Sequence, residues 1–286
     1  MSTVRIVTDS ACDLSDDEIL TQNVSVVALS IRFGDQEYVD RKDLSAQQFW
    51  SKVAASPVLP ETSAPSPGSF EAAFRAAAAD GATAVVCIVL SSKLSATFDS
   101  ALLAAAAVAD VIDVRVVDSL SITSGLGTMC LVGARLAASG EPVDVVEAAV
   151  RSLVGRTRVY GGLDTLDNLK KGGRIGGAQA LIGSLLSIRP IIDISSGAVE
   201  QLGKQRTRAK VFAHLVSMLT AAIAQHGQVD NVAVMHGDAS DIEDFLRLLA
   251  AVHPRDRIRV GQIGAVIGTH GGPGVMGLTF NLPATA

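Results

Sequence analysis

The sequence predicts an α/β protein in two parts. The N-terminal part is built on a mostly parallel sheet flanked by helices, and the C-terminal part is a smaller mixed α/β domain. Three observations carry this. Short apolar runs of strand length alternate with capped helical runs, the pattern of a parallel sheet with crossover helices. Three early strands end in similar crests, Thr8-Asp9-Ser10, Ser91-Ser92 and Asp118-Ser119, and open parallel sheets bind ligands beyond the carboxyl ends of their strands, where strand order reverses. Finally, 286 residues exceed one modest core and suit two. The division is drawn as residues 1–155 and 156–286, with chain crossover between the halves allowed.

The elements follow in order. Val4–Val7 is a short apolar strand. Ser15-Asp16-Asp17-Glu18 is a capping box opening a short helix. Val24–Phe33 reads as one strand ending at the turn Gly34-Asp35. Ser45-Ala46-Gln47-Gln48 is a second capping box, for a helix through Trp50. Ser66 followed by Pro67 is an N-cap with proline at the first helical position, and that helix runs through Phe70 and Phe74 to Asp80. Ala84–Leu90 and Val114–Val117 are buried strands. From Tyr160 the texture changes. Leu163–Lys171 is a helix stopped at Gly172-Gly173. Pro190–Gln205 alternates like strands around a Ser195-Ser196-Gly197 turn. Val211–Ala224 is a helix, Val229–Met235 a strand, and Ser240–Val252 a helix with the box Ser240-Asp241-Ile242-Glu243. Ile258–Ile267 and Val275–Phe280 read as strands flanking a glycine-rich loop that carries His270.

Composition excludes several classes. Hydrophobic residues are 48% of the chain, enough for a sizeable core. The mean hydropathy of +0.37 comes from many Ala and Val rather than from a membrane span, since the charge-free helical run near Ala101–Ala109 is short of the roughly 20 apolar residues a span needs. No stable membrane insertion is expected. The N-terminus enters a strand at once, without a signal-like apolar core. Three cysteines, Cys12, Cys87 and Cys130, lack metal or redox spacing and cannot all pair, which suits a cytoplasmic protein with reduced thiols and no metal. A net charge of -5 without a lysine-rich tract argues against nucleic acid as partner.

Two serine-rich loops, Thr62–Gly68 and Ser91–Thr97, and the segment Thr269-His270-Gly271-Gly272-Pro273-Gly274 supply hydroxyls, one imidazole and backbone N–H groups. That donor set suits a carboxylate. The bland alternatives are helix caps for the serines and a tight-turn hydrogen bond for His270. His214, His226, His236 and His253 read as structural, with His236 alone worth watching. His270-Gly271-Gly272-Pro273 also resembles an esterase oxyanion loop, yet no G-x-S-x-G elbow exists, so a Ser/His acyl hydrolase or acyltransferase using Ser92 or Ser95 is a weaker alternative. No G-x-x-x-x-G-K-[ST] occurs, and Gly125-Leu126-Gly127-Thr128-Met129-Cys130 lacks the third glycine of a dinucleotide loop, so no cofactor is expected. Arg174 lies past a helix stop in Lys170-Lys171-Gly172-Gly173-Arg174, where it reads as an exposed anchor for a partner or phosphate, or as a solvated or intramolecularly paired arginine. Arg206 and Arg208 form a second basic cluster of the same ambiguity.

The blocks Thr8–Leu14, Thr62–Gly68, Ser91–Thr97, Leu166–Arg174 and Gly268–Gly274, in this order, resemble the DegV family, bacterial fatty-acid-binding proteins that present acyl chains to a fatty acid kinase. The resemblance implies two α/β domains with a long-chain fatty acid between them. It implies a carboxylate held by Thr62 or Ser63, by Ser95 and by His270, with Ser92 a weaker candidate. It implies Arg174 as the kinase-docking arginine, and an ATP-using kinase partner that makes the acyl phosphate, the protein itself not being an enzyme. It also admits a likeness to dihydroxyacetone-kinase phosphotransfer subunits, for which no nucleotide or phosphohistidine site is found. Two departures stand out. Ala96 replaces a usual glycine and Ala64 a frequent glutamine.

Elementary energetics agree with that implication. Each buried methylene contributes about 0.8 kcal/mol, so a long acyl chain gains on the order of 10 kcal/mol before association costs. Fixed neutral donors then suffice for the head group, whereas a lysine or arginine there would hold the carboxylate tightly and blunt its nucleophilicity. Only 4% aromatic residues implies an aliphatic tunnel.

Overall fold

The computed structural model describes residues 3–181 and 188–284. In chain order the elements are β1 (Val4–Asp9), α1 (Asp16–Thr21), β2 (Val24–Val27), β3 (Ser30–Phe33), β4 (Gln36–Val39), α2 (Ala46–Ala55), β5 (Glu61–Ser63), α3 (Pro67–Ala79), β6 (Ala84–Val89), α4 (Thr97–Ala107), β7 (Asp113–Asp118), α5 (Thr123–Ala138), α6 (Val143–Val154), β8 (Thr157–Gly162), α7 (Asp167–Lys171), β9 (Arg189–Asp193), β10 (Glu200–Gln205), α8 (Arg208–His226), β11 (Asp230–His236), α9 (Ile242–Leu249), β12 (Arg259–Gln262), α10 (Ala265–Gly271) and β13 (Met276–Asn281).

The first sheet is parallel throughout, in the order β2-β1-β6-β7. β6 is buried at every position because helices cover both faces. Val85, Cys87 and Val89 pack with Phe70 and Phe74 of α3 and Ala101 of α4, while Val86 and Ile88 pack with Leu126 and Met129 of α5 and Val150 of α6. Strand order reverses between β1 and β6. There the Asp9 carboxylate accepts from Leu90 N at 2.7 Å and from Ala11 N at 2.9 Å, which pins the two crests together. Burial nevertheless pushes Asp9 up to about 7.

The second sheet has six strands in the order β10-β9-β8-β13-β11-β12, antiparallel except for the β11–β12 pair. A third, three-stranded antiparallel sheet, β4-β3-β5, comes from the N-terminal half with α2. It docks on α10: Trp50 Nε1 donates to Ile263 O at 2.8 Å. Gly268 permits this contact, since a Cβ there would stand 2.6 Å from Phe49 and 2.7 Å from Trp50.

Both capping boxes, at Ser15/Glu18 and Ser45/Gln48, form as the sequence predicts, and Ser66 caps α3 ahead of Pro67. Four expectations change. The single strand over Val24–Phe33 is two strands in different sheets, broken where Leu29 N turns to donate to Ser10 Oγ. Ile258–Ile267 is a strand only over Arg259–Gln262, and α10 follows, so His270 lies in the last turn of a helix rather than in a loop. The box at Ser240 does not form, because α9 starts after Asp241 and that carboxylate is taken by Arg208 at 2.8 and 3.0 Å. The helix expected over Leu163–Lys171 covers only Asp167–Lys171. The stretch between Ser119 and Arg156, unassigned from sequence, contains α5 and α6. Among the described residues no helix is long and apolar enough to cross a membrane.

Candidate functional site

A cavity of about 240 Å³ lies between the carboxyl edge of the first sheet and the face of the second. One wall is α10, whose Val266, Ile267 and His270 share a face, with Ile263 just before its N-cap beside them. The opposite wall is strand. On β8 and β13, Tyr160, Met276, Leu278 and Phe280 enter the core with Phe212 and Phe245 of α8 and α9. Alternation therefore turns Val159, Gly161 and Gly277 toward the cavity. Gly161 and Gly277 are register partners, and with no side chain at either the sheet floor is lowered. Leu90, Leu94 and Ile122 close the space from the crests of the first sheet.

One end of the cavity is polar. Thr62 Oγ1 lies 2.9 Å from His270 Nε2. The two come from β5 and the end of α10, held in place by the docking of α2. Asn168 of α7 adds to this by donating to Thr269 O at 2.9 Å. Burial, reinforced by the Arg174 guanidinium, pushes His270 from 6.5 down to about 4, so the imidazole is neutral at pH 7. Among the described residues its Nδ1 is buried without a hydrogen-bond partner. Ser95 also lines the cavity, its Oγ 2.8 Å from Thr97 Oγ1.

Of the residues singled out from sequence, Thr62, Ser95, His270 and Arg174 are brought to this cavity. Ser63 is exposed and outside the lining, because the strand alternation that turns Thr62 inward turns its neighbour outward. Ser92 is exposed too, and its amide donates to Asp118. Ser91 spends its hydroxyl on Gly197 O at 2.6 Å, tying the two sheets together. Arg174 is paired within the chain rather than fully exposed. It is half-buried, donating through Nε to Leu94 O at 3.1 Å and through Nη1 to Gly172 O at 2.6 Å, and it borders the polar end. The expectation of purely neutral groups around the head-group position is thus corrected. Arg208 is held by Asp164 and Asp241, which leaves it a structural cation. His236 accepts from Ala239 N at 3.3 Å, a turn contact. Ala64 and Ala96 both line the cavity, so each departure from the family pattern puts a methyl against the ligand space.

Sequence reasoning missed Gly161 and Gly277, whose role depends on strand register, and the whole apolar stripe of α10. The spacing of Ile263, Val266, Ile267 and His270 was the available signal. Chemically, the arrangement can hold a carboxylate through a hydroxyl pair and a neutral imidazole with an aliphatic chain behind it. Among the described residues no serine hydroxyl bonds a histidine ring; the hydroxyl at His270 is that of Thr62.

Comparison with known proteins agrees with the geometry. A family model described as "Uncharacterised protein, DegV family" matches residues 3–282. A DegV domain-containing protein of Streptomyces coelicolor is 36% identical, covering 97% of this chain and 98% of its own. One from Deinococcus radiodurans is 35% identical over the same shares. Among solved structures, one described as fatty acid binding of a DegV family protein from Thermus thermophilus superposes with a TM-score of 0.87 at 32% identity, covering 98% of this chain and 100% of that one. DegV of Bacillus subtilis, described as a fatty acid binding protein, gives 0.88 at 28% identity, covering 99% and 100%. With its sheets, its crests and its cavity in the places described, the chain belongs to the DegV family.

Proposed function

We propose that this protein binds a long-chain fatty acid in the cavity, holds its carboxylate with Thr62, Ser95 and His270, and presents it to an ATP-dependent fatty acid kinase for acyl phosphate formation. The observation that carries the reading is the Thr62–His270 pair closing one end of an otherwise aliphatic cavity. The neutral imidazole offers a donor without adding a second full charge. Ser63 and Ser92 have no part in it. Arg174 faces two ways. Besides the cavity it lines an outer depression with Lys93, Gly173 and Gly176, which supports a docking role at the mouth where a kinase would approach. The protein supplies binding and positioning, while the partner supplies the phosphoryl chemistry. Three buried free thiols suit the reducing cytoplasm in which such a kinase works.

The test is a titration of delipidated protein with a long-chain fatty acid, followed by acyl phosphate assay with a partner kinase. Ser95→Ala and His270→Ala are expected to weaken binding at unchanged fold. Arg174→Ala is expected to keep its lipid and melting temperature but lose product. If Arg174→Ala releases the acid instead, the guanidinium belongs to the carboxylate site and docking lies elsewhere. Turnover of an activated acyl ester by the protein alone would replace the reading with the hydrolase.

A further inference from the structure

The polar end of the cavity adjoins the outer depression, a space of about 330 Å³. The two share Leu94, Ser95, Ala96, Arg174 and Val199 in their walls, which makes the depression the space next to a carboxylate held at Ser95. Their electrostatics differ. Inside the cavity the head group meets the hydroxyls of Thr62 and Ser95 and the neutral His270 imidazole. In the depression Lys93 joins Arg174, and among the described residues that line it both charged ones are cations. Lys93 does not line the cavity itself. Its ammonium is fixed in place: Nζ donates to Ser196 O at 2.8 Å, on the turn between β9 and β10 that also takes the Ser91 hydroxyl at Gly197 O. A lysine has three N–H donors, so two remain. The pinning removes side-chain freedom that a later contact would otherwise cost. Gly173 lines the same depression, and no atom of the described residues lies within 4 Å of where its Cβ would stand, so the space beside it is open. Phosphorylating a carboxylate moves its charge outward and places more of it on phosphoryl oxygens, which are strong acceptors. A cation set outside the carboxylate position therefore favours the phosphorylated head over the bound acid, and does so without gripping the attacking oxygen.

We propose that the depression is a phosphoryl subsite, in which Lys93 holds the phosphoryl group of the acyl phosphate formed on the bound acid. This rests on the reading of the cavity as a fatty-acid site served by a kinase. In the transfer a carboxylate oxygen forms a bond to the γ-phosphorus of ATP. The bond from that phosphorus to its bridging oxygen breaks, the electron pair leaves with ADP, and no proton moves. Lys93 then donates its two remaining N–H groups to phosphoryl oxygens, a contact the acid alone lacks. The test contains no kinase, which separates this role from docking. Delipidated protein is titrated with a long-chain acid and with the matching 2-oxoalkylphosphonate, a stable mimic of the acyl phosphate with methylene in place of the bridging oxygen. Lys93→Gln keeps a donor for Ser196 O but removes the charge. It is expected to bind the phosphonate about tenfold more weakly than wild type, the size of one charge-assisted hydrogen bond, and the acid unchanged. Lys170→Gln removes an exposed cation outside the depression and is expected to change neither. In the wild type alone, added salt is expected to weaken the phosphonate more than the acid. Equal salt dependence of the two ligands overturns the proposal and needs no variant to fold. Wild-type phosphonate affinity in Lys93→Gln overturns it, as does an equal loss for both ligands, which makes the lysine a structural tie to Ser196. An equal phosphonate loss in Lys170→Gln also overturns it, as an effect of net charge. A wild type that binds the acid but not the phosphonate overturns this proposal alone, whereas failure of the acid itself to bind overturns the parent reading as well.

Discussion

Gly172→Ala tests the head-group geometry without replacing any residue that holds the ligand. Gly172 ends α7 at φ -71°, ψ -8°, a conformation alanine adopts freely. An added Cβ would stand 2.4 Å from His270 Nδ1 and 2.7 Å from its Cε1. Since non-bonded contacts settle near 3.5 Å, the imidazole must retreat by about 1 Å. The Thr62–His270 contact at 2.9 Å then passes the useful hydrogen-bond range. Losing one hydrogen bond to a carboxylate costs about 1.5–3 kcal/mol, or roughly ten- to a hundredfold in affinity. Stability should move little, because glycine-to-alanine at a compatible backbone gains about 0.4–1 kcal/mol against the local strain. Calorimetric titration with a fatty acid, alongside thermal unfolding, reads both quantities. Gly173→Ala is the control. Its φ of +70° makes alanine strained, but no atom of the described residues lies within 4 Å, so it should lose stability and keep affinity. Wild-type affinity in Gly172→Ala at an unchanged melting temperature would refute the placement of His270 at the carboxylate.

Other outcomes follow from the same coordinates. The His270 imidazole should titrate near 4 by NMR. Because the unfolded chain takes up a proton below about 6.5 that the folded chain refuses until about 4, wild type should lose stability relative to His270→Gln as pH falls through that window, by on the order of 3 kcal/mol. The comparison with the variant is needed because Asp9 and Asp13, raised to about 7 by burial, act oppositely, costing stability as pH rises from about 4 to 7. Gly277→Val should plug the cavity: its Cβ meets Met235 O only at 3.5 Å, so the fold tolerates it, while roughly three methylenes of ligand contact are lost, about fiftyfold in affinity. Trp50→Phe, which removes the 2.8 Å bond to Ile263 O, should cost about 1–3 kcal/mol in denaturant unfolding and loosen α10.

Local chemistry was legible in the sequence wherever a signal and its partner lie within a few residues. The capping boxes at Ser15 and Ser45, Pro67 at the start of α3 and the buried β6 all follow from such signals, and the crest rule points to the carboxyl edge of the first sheet, where Leu90, Leu94 and Ile122 line the cavity. Legibility failed where tertiary contact decides. α10 reads as strand because Ile263–Ile267 is apolar and ends in glycines, and only packing of Gly268 under Trp50 favours the helix. α5 begins with residues that look like a loop, and its glycines are there for close approach. A Cβ at Gly127 would stand 2.6 Å from Cys12 O. Thr62 and Ser63 are equivalent as letters, and only the pairing of β5 with β3 decides which faces inward. Arg174 looked free because its acceptor, Leu94 O, lies 80 positions away in the chain.

The central claim is that this chain carries a fatty acid, and the most direct measurement is native mass spectrometry of the protein as expressed, followed by lipid extraction. The account predicts an adduct of one fatty acid per chain, lost on delipidation and regained on adding the acid back. A bare chain mass, no extractable stoichiometric lipid, and no uptake by the refolded protein would contradict it.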